Sequence, residues 1–366
     1  MTLKGLKITP FTVAGKINSG AFQKCKAIAN TCDATASATV LELLPADYDK
    51  LLLKLQEEHG GPAFLHTAGV AVFSAVAGFI GDDVQFIKWL KSNNVMNIEK
   101  ALNSNGKTIN WDDLAAREYQ KLLCESDNTF AYLEFSFDGD VVGRLLFQLF
   151  PDLAPKTCEN FLALCEAEAN GYTKSPIHRI KPGGWLQGGD VLTGNGDGGK
   201  SASGEPIPDE SFHIKHSEYG ILGMANDGPH TAQSQFYCTF APTPSFDKIY
   251  CAFGKLADGT KLLKFLEEVD CANDRPRAEL LICKAGKVTP QSAPGQSEED
   301  KAAQKMQALQ RGRSKRKEIQ QRKEAAARVQ AAKRGQKARM EKKEQIEAAT
   351  KVQAVSRGRK ARSKKA

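Results

Sequence analysis

The sequence predicts a multi-domain α+β protein, with a small α/β module at the N-terminus, an antiparallel β-barrel or sandwich in the middle and a long C-terminal α-helix. Three observations predict it. Up to about residue 100, apolar residues recur with alternating strand-like and helix-like periods. From Phe130 the pattern becomes that of short strands separated by Gly/Pro turns. From Lys301 onward proline vanishes and strong helix formers, Ala, Lys, Arg, Gln and Glu, take over.

The bulk numbers fit this division. A chain of 366 residues exceeds one average domain and suits two domains plus an extension. With 41% apolar and 26% charged residues it has the composition of a soluble, core-forming protein. The net charge of +8 is unevenly divided. Residues 301–366 carry 23 Lys and Arg against 5 Asp and Glu, a net of +18, whereas the rest carries 28 against 38, a net of −10. An acidic body with a basic tail implies an acidic partner or surface for that tail. The nine cysteines are scattered, with no CxxC pair and no metal-ligand spacing, which reads as reduced intracellular thiols and predicts no metal and no cofactor. The opening MTLKGLKITPF lacks the layout of a signal peptide, and the longest apolar run, 68–81, is shorter than the roughly 20 residues of a membrane span. These features predict a cytoplasmic protein.

Within residues 1–100, strands are expected at 6–13 and 39–44 and helices at 21–32 and Pro45–His59, the latter opened by Pro45-Ala46-Asp47. A hairpin is expected over 70–79, turning near Ala77-Gly78, and a last helix over 84–91. This βαβαββα order, ending in FIGDDVQFIKWL, resembles the thioredoxin or glutaredoxin fold. The chemistry of that fold is missing. The loop 14–20 contains no cysteine, Cys25 lies inside a helix rather than at its start, and Ala71 occupies the place where the fold usually puts a cis-proline. Without a low-pKa thiolate at a helix start, a module lacking redox activity is expected.

Residues 101–128 read as a linker containing a helix over 111–124, opened by Asn110 or Asp112. Over 129–286, AYLEFSF and VVGRLLFQLF alternate as strands joined by Asp138-Gly139-Asp140, a hairpin signal. A helix over 156–169 follows, with Pro155 near its first turn, and then short strands run to about Lys284. Residues 287–300 form a polar, proline-containing linker. A continuous helix over 301–366 would span roughly 95 Å. It has no apolar stripe wide enough to bury itself and so awaits a partner.

The middle segment carries GRLLFQLFPDLAPKTCENFLAL (143–164), IHRIKPGGWLQGGD (177–190), GILGMANDGPHTAQSQFY (220–237) and FGKLADGTKLL (253–263). In these motifs, over some 155 residues, the chain closely resembles the cyclophilin-type peptidyl-prolyl cis-trans isomerases. The resemblance implies a closed eight-stranded antiparallel barrel capped by two helices, and rotation about X–Pro bonds as the activity. That rotation has a barrier of ~18–20 kcal/mol and takes tens of seconds unaided. Its catalysis needs no nucleophile, acid or metal, only a seat for the proline ring and a donor favouring the twisted amide.

By resemblance the donor is Arg179, Gln187 holds that arginine in place, and Ala225, Asn226 and Gln235 grip the substrate backbone. His178 is the neighbouring histidine, usually structural in this fold. The apolar wall departs from the family's Phe, Met, Phe and Leu, since those places hold Gly184, Trp185, Tyr237 and Phe246. A tryptophan important for cyclosporin is Ser245 here, and the histidine at the pocket rim is Tyr250. The implied partners are proline-containing protein segments. Two readings stay open: an isomerase of reduced activity, and a catalytically weak proline-peptide adaptor.

Gly194 to Ser201 satisfies GxxxxGK[ST], a phosphate-loop pattern. That loop needs a following helix to aim its N–H groups at phosphate. Ala202-Ser203-Gly204-Glu205-Pro206 cannot start one, and cyclophilins commonly have a Gly-rich loop here, so no nucleotide chemistry is expected.

The tail repeats with a period of 23 residues. Met306-Gln307 precedes Arg311-Gly312 and Arg316; Val329-Gln330 precedes Arg334-Gly335 and Arg339; Val352-Gln353 precedes Arg357-Gly358 and Arg362. Each copy resembles the IQ motif, in which an apolar anchor and Gln face a calmodulin-like light chain and the arginines meet its acidic rim. Ile319 adds the trailing apolar position only in the first copy, against Lys342 and Lys365 in the others. The alternative is a plain basic helix for an acidic microtubule surface; nucleic acid is disfavoured because no aromatics interleave with the basic residues. The two globular segments together resemble a cyclophilin branch associated with motile cilia, which implies a cytoskeletal place in a cilium or flagellum axoneme.

Overall fold

The computed structural model describes residues 10–31, 38–93, 95, 98–104, 107–125 and 127–289. The first nine residues, Cys32 and everything from Pro290 onward lie outside the described residues, including the expected C-terminal helix and all three IQ-type repeats.

The N-terminal elements are β1 (Phe11–Lys16), α1 (Gly20–Thr31), β2 (Ala38–Leu43), α2 (Pro45–His59), α3 (Gly61–Phe64), β3 (Val70–Ser74), β4 (Gly78–Gly81) and α4 (Asp83–Ser92). The sheet runs β2-β1-β3-β4, with β1 parallel to β2 and antiparallel to β3. Both faces of this sheet are covered. Phe22, Cys25 and Ile28 of α1 and Phe86 and Leu90 of α4 pack with Val13, Val70 and Val72, while Tyr48 and Leu55 of α2 pack with Ala71. Helix α4 opens with a capping box in which Asp82 accepts from the N–H groups of Val84 and Gln85, and Gln85 accepts from Asp82 N–H.

Two local expectations need correcting. The first strand does not end at Val13; it continues through Lys16, so the connecting loop is only Ile17–Ser19. Ala-Gly-Lys looks like a turn in sequence, yet Gly15 is needed inside the strand because a Cβ there would collide with the Phe22 ring. Ala71 does not precede the hairpin; it lies within β3, directly opposite Ala14.

Elements α5 (Ile98–Leu102), β5 (Asn103–Ser104), β6 (Lys107–Thr108) and α6 (Trp111–Glu125) follow. Helix α6 is more than a connection. Its Tyr119 and Leu123 are buried in one cluster with Ile17 of the first module and with Phe130, Tyr132, Leu146, Ala257 and Val288 of the barrel. Tyr119 also donates a hydrogen bond to the buried carboxylate of Asp258, at 3.0 Å. Around this seam, Lys50 pairs with Glu218 and Lys255 with Asp47, each at 2.9 Å.

The remaining elements are β7 (Thr129–Phe137), β8 (Asp140–Leu149), α7 (Pro155–Glu166), β9 (Ile177–Lys181), β10 (Trp185–Gly188), β11 (Ile221–Met224), β12 (Phe236–Thr239), β13 (Ala252–Asp258), α8 (Thr260–Glu267), β14 (Cys271–Ala272), β15 (Arg275–Pro276) and β16 (Leu280–Lys287). Eight strands form one antiparallel sheet in the order β16-β7-β8-β13-β11-β12-β10-β9. The two ends approach through a bridge between Pro176 and Leu281 and through Lys174 N–H and Ile282 N–H, which donate to Ile282 and Ser175 carbonyls. The result is a nearly closed barrel. The β7–β8 turn has positive φ at both Asp138 and Gly139, the geometry a two-residue hairpin requires. The core is aromatic: Phe161 of α7 meets Tyr172, Phe236 and Phe253 at centroid distances of 5.1–5.7 Å, and Phe265 of α8 meets Phe137 edge-on. Helix α7 stops at Glu166, short of the expected residue 169, because the chain reverses there and Tyr172 N–H returns to the Leu164 carbonyl.

Candidate active site

Strands β9 and β10 carry the residues expected to serve the chemistry, Arg179 and Gln187. Alternation places Arg179 and Lys181 on one face of β9 and Trp185 and Gln187 on the same face of β10, with Arg179 opposite Gln187 and Lys181 opposite Trp185. His178 and Ile180 point the other way and are buried. The pairing brings two cations to the Trp185 ring, with the Arg179 guanidinium carbon 5.3 Å and Lys181 Nζ 5.0 Å from its centroid.

Three of the four residues expected to wall the pocket, Trp185, Tyr237 and Phe246, meet the expected rim residue Tyr250 in one aromatic cluster, to which Gly184 adds no ring. Trp185 lies 4.8 Å from Phe246, Phe246 lies 4.6 Å from Tyr250, and Tyr237 packs on both at 5.2 and 5.7 Å. Gly184 is buried, and a Cβ there would press on Lys181 at 3.3 Å. Ser245 is exposed at the rim. The cluster thus consists of an indole, a phenylalanine ring and two phenols.

Sequence reasoning missed what lies beneath Tyr237. Its hydroxyl is 2.6 Å from Nε2 of His216, and Nδ1 of His216 is 2.9 Å from Oδ1 of Asp247. Bonds from the backbone N–H and ring of His216 hold the Asp247 carboxyl below its ordinary pKa, so it is an ionised acceptor. The Nδ1 hydrogen therefore points to Asp247, Nε2 accepts, and Tyr237 donates. Burial pushes the His216 pKa down, against the pull of Asp247, and keeps the ring neutral; burial pushes the Tyr237 pKa well up. The only sequence signal was the tyrosine itself, since a buried phenol requires a hydrogen-bond partner.

The expected link from Gln187 to Arg179 is not what the structure shows. Gln187 Nε2 donates to Gln235 Oε1 at 2.8 Å, and Gln235 Nε2 donates to the carbonyls of Gly196 and Gly198. Arg179 instead donates through Nε and Nη2 to Oδ2 of Asp274, at 3.3 and 3.1 Å. Gln187 sits opposite Arg179 in the ladder, but its amide N–H donates to Gln235, which in turn donates to the Gly-rich loop. Ala225 N–H donates to the Gln235 carbonyl, and the Asn226 amide donates to the Ile249 carbonyl, so two of the three residues expected to grip a substrate backbone, Ala225 and Gln235, are bonded to each other. His178 is buried against Gly196, its pKa is lowered by burial, and it takes a packing position rather than a substrate-facing one.

The Gly-rich loop is built in the sense opposite to a phosphate cradle. The N–H groups of Gly196 and Gly198 already donate to Asp190. Burial would raise the Asp190 pKa, but bonds from the Thr193 hydroxyl and from the Thr193, Gly196 and Gly198 N–H groups hold it well below the carboxylate range. The loop carbonyls serve Gln235, and no helix follows. Among the described residues no cluster of His, Cys, Asp and Glu could hold a metal ion, and no helix is long and apolar enough to cross a membrane.

Comparison with known proteins agrees with this geometry. Residues 132–287 match the family model for cyclophilin type peptidyl-prolyl cis-trans isomerase. The chain is 34% identical over 285 residues, 74% of its own length and 88% of the relative, to a mouse (Mus musculus) protein called probable inactive peptidyl-prolyl cis-trans isomerase-like 6. It is 40% identical over 215 residues to the human (Homo sapiens) protein of that name, covering 56% of this chain and 67% of the relative. A bovine (Bos taurus) protein of the same name is 42% identical over 176 residues, 46% of this chain and 57% of that relative. A cyclophilin barrel, its motifs in register on β9–β12 and a relative matched over most of its length lead to one assignment: this chain belongs to the cyclophilin-type peptidyl-prolyl cis-trans isomerase family.

Proposed function

We propose that the protein is a weak peptidyl-prolyl cis-trans isomerase that binds proline-containing protein segments. The observation that carries the reading is the β9–β10 face, where Arg179 lies over Trp185, the edge of an aromatic cluster with Phe246, Tyr237 and Tyr250. A guanidinium presents fixed N–H donors that stabilise the amide as it leaves planarity and its nitrogen becomes pyramidal, and the aromatic walls hold the proline ring during the turn. Activity is reduced because Trp185 and Tyr237 reshape the seat and because Arg179 is held by Asp274. In an X–Pro isomerisation assay the full chain accelerates turnover above the uncatalysed rate, and Arg179→Ala abolishes the acceleration; equal background rates in both proteins would remove the enzyme reading.

A second reading is a proline-peptide adaptor without useful catalysis. The same Arg179–Asp274 pair favours it, and three relatives bear the words "probable inactive" in their names. Peptide binding without rate enhancement would select it.

The N-terminal module is proposed to be thioredoxin-like and redox-silent. Support comes from the β2-β1-β3-β4 order and from the burial of Cys25, whose thiol pKa is pushed far up by desolvation. The tail is proposed to bind a calmodulin-like light chain through its three IQ-type repeats, with an acidic microtubule surface as the competing partner, in a cilium or flagellum axoneme. Replacing Gln307, Gln330 and Gln353 in the full chain is expected to weaken calmodulin binding; unchanged binding contradicts the IQ reading.

A further inference from the structure

Arg179 is the one group that the proposed isomerase reaction needs with its donors available, yet two of its N–H groups, on Nε and Nη2, face Oδ2 of Asp274. The contact is built rather than incidental. Asp274 sits in the two-residue turn between β14 and β15, where Asn273 and Asp274 have φ of 52° and 64°. Positive φ at both central positions is the geometry of the tight hairpin turn matched to strand twist, and Asn and Asp tolerate it. The turn is pinned on β9 by Ile180 N–H, which donates to the Asp274 carbonyl at 2.7 Å, and on the Gly-rich loop by Arg275 Nη2, which donates to the Asn195 carbonyl at 2.7 Å. One residue therefore grips β9 twice, with its main chain at Ile180 and its side chain at Arg179.

We propose that Asp274 is a positioning residue that parks the Arg179 guanidinium, over the Trp185 ring, in a low-activity arrangement, so that a substrate recruits the arginine only by breaking this ion pair. The proposal rests on the isomerase reading of the site and names a restraint within it. The pair is partly exposed, with 44% and 39% of the two side-chain surfaces accessible, so it is a weak latch rather than a lock. Exposed pairs of this kind change an equilibrium by roughly two- to fivefold, fivefold being about 1 kcal/mol. Salt screens such a pair, so added salt releases the arginine as the transition state must.

The test is steady-state isomerisation by the full chain and its Asp274→Gly variant. That change leaves the turn with the Asn-Gly sequence such hairpins favour most, so the fold is retained, and Asp274→Asn provides a second, isosteric version. The expected result is a roughly two- to fivefold rise in kcat with KM unchanged, as for a donor used only in the transition state. The gain is absent on an Arg179→Ala background, and wild-type activity rises with salt while the variants stay flat. Unchanged or lower kcat in both variants overturns the proposal. If wild type and variants all remain at the uncatalysed rate, the isomerase reading fails by itself, and the latch is judged on the Arg179 Nε–H signal by NMR. A shift with loss of order on Asp274→Gly then upholds the parked arrangement, and an unmoved signal overturns it.

Discussion

Replacing Tyr237 by Phe removes a single oxygen, and the structure states what that oxygen does. It donates to Nε2 of His216, whose imidazole is fully buried and whose other nitrogen is committed to Asp247. Without the hydroxyl, Nε2 is a buried acceptor with no donor. Leaving such a group unsatisfied costs about 1–3 kcal/mol, more than the about 1 kcal/mol net worth of an ordinary hydrogen bond. A rescuing water has little room, because the hydroxyl is packed so closely on Gly223 that a Cβ at that glycine would overlap it. For a unit of 150–250 residues each kcal/mol moves Tm by about 2–4 °C, so Tyr237→Phe is expected to melt roughly 2–12 °C lower. The assay is urea and thermal unfolding of the full chain at pH 7.5, followed by near-ultraviolet circular dichroism. The m-value should stay unchanged while the midpoint falls. Equal or greater stability in the variant would refute the reasoning, since it would mean that the Asp247–His216–Tyr237 chain does not hold the floor of the cleft.

Other outcomes follow from the same geometry. Burial lowers the pKa of both His216 and His178, so the unfolded chain binds more protons as pH falls below the ordinary histidine value near 6.5. Stability is then expected to decline from about pH 6.5 downward, by at most about 1.4 kcal/mol per pH unit for each ring, and urea midpoints that rise on going from pH 7 to pH 5.5 would contradict this. Tyr119→Phe removes the donor to Asp258, whose pKa burial pushes up, and should cost about 1–3 kcal/mol in unfolding free energy, an effect that Lys255→Ala at the partly exposed rim of the same seam should not approach, at under about 1 kcal/mol.

What the sequence made legible was whatever a contiguous motif carries. Trp185, Tyr237, Phe246 and Tyr250 were placed in one pocket by motif register, and the structure joins their rings in one cluster around Phe246, with neighbouring centroids 4.6–5.7 Å apart. The β7–β8 hairpin was readable because Asp138-Gly139 states its turn chemistry locally. Contacts closed across long separations were not readable. Asp274 is 95 residues from Arg179, and its reach depends on a two-residue turn between two very short strands that carry no periodic signal. His216 lies 21 residues from Tyr237 in a loop with no pattern of its own, and the role of α6 as a wall of the seam depends on Tyr119 and Leu123 meeting a barrel face that folds elsewhere. Arg179 itself shows both sides: its position was legible, its partner was not.

The most direct test of that residue's role is exchange NMR on an X–Pro peptide at equilibrium with the full chain, comparing wild type with Arg179→Ala. Cis–trans exchange faster than in free peptide for wild type, and restored to the free-peptide rate by the substitution, is the predicted result. Exchange at the free-peptide rate in both, with the peptide demonstrably bound, would contradict it and leave a barrel that holds proline segments without turning them.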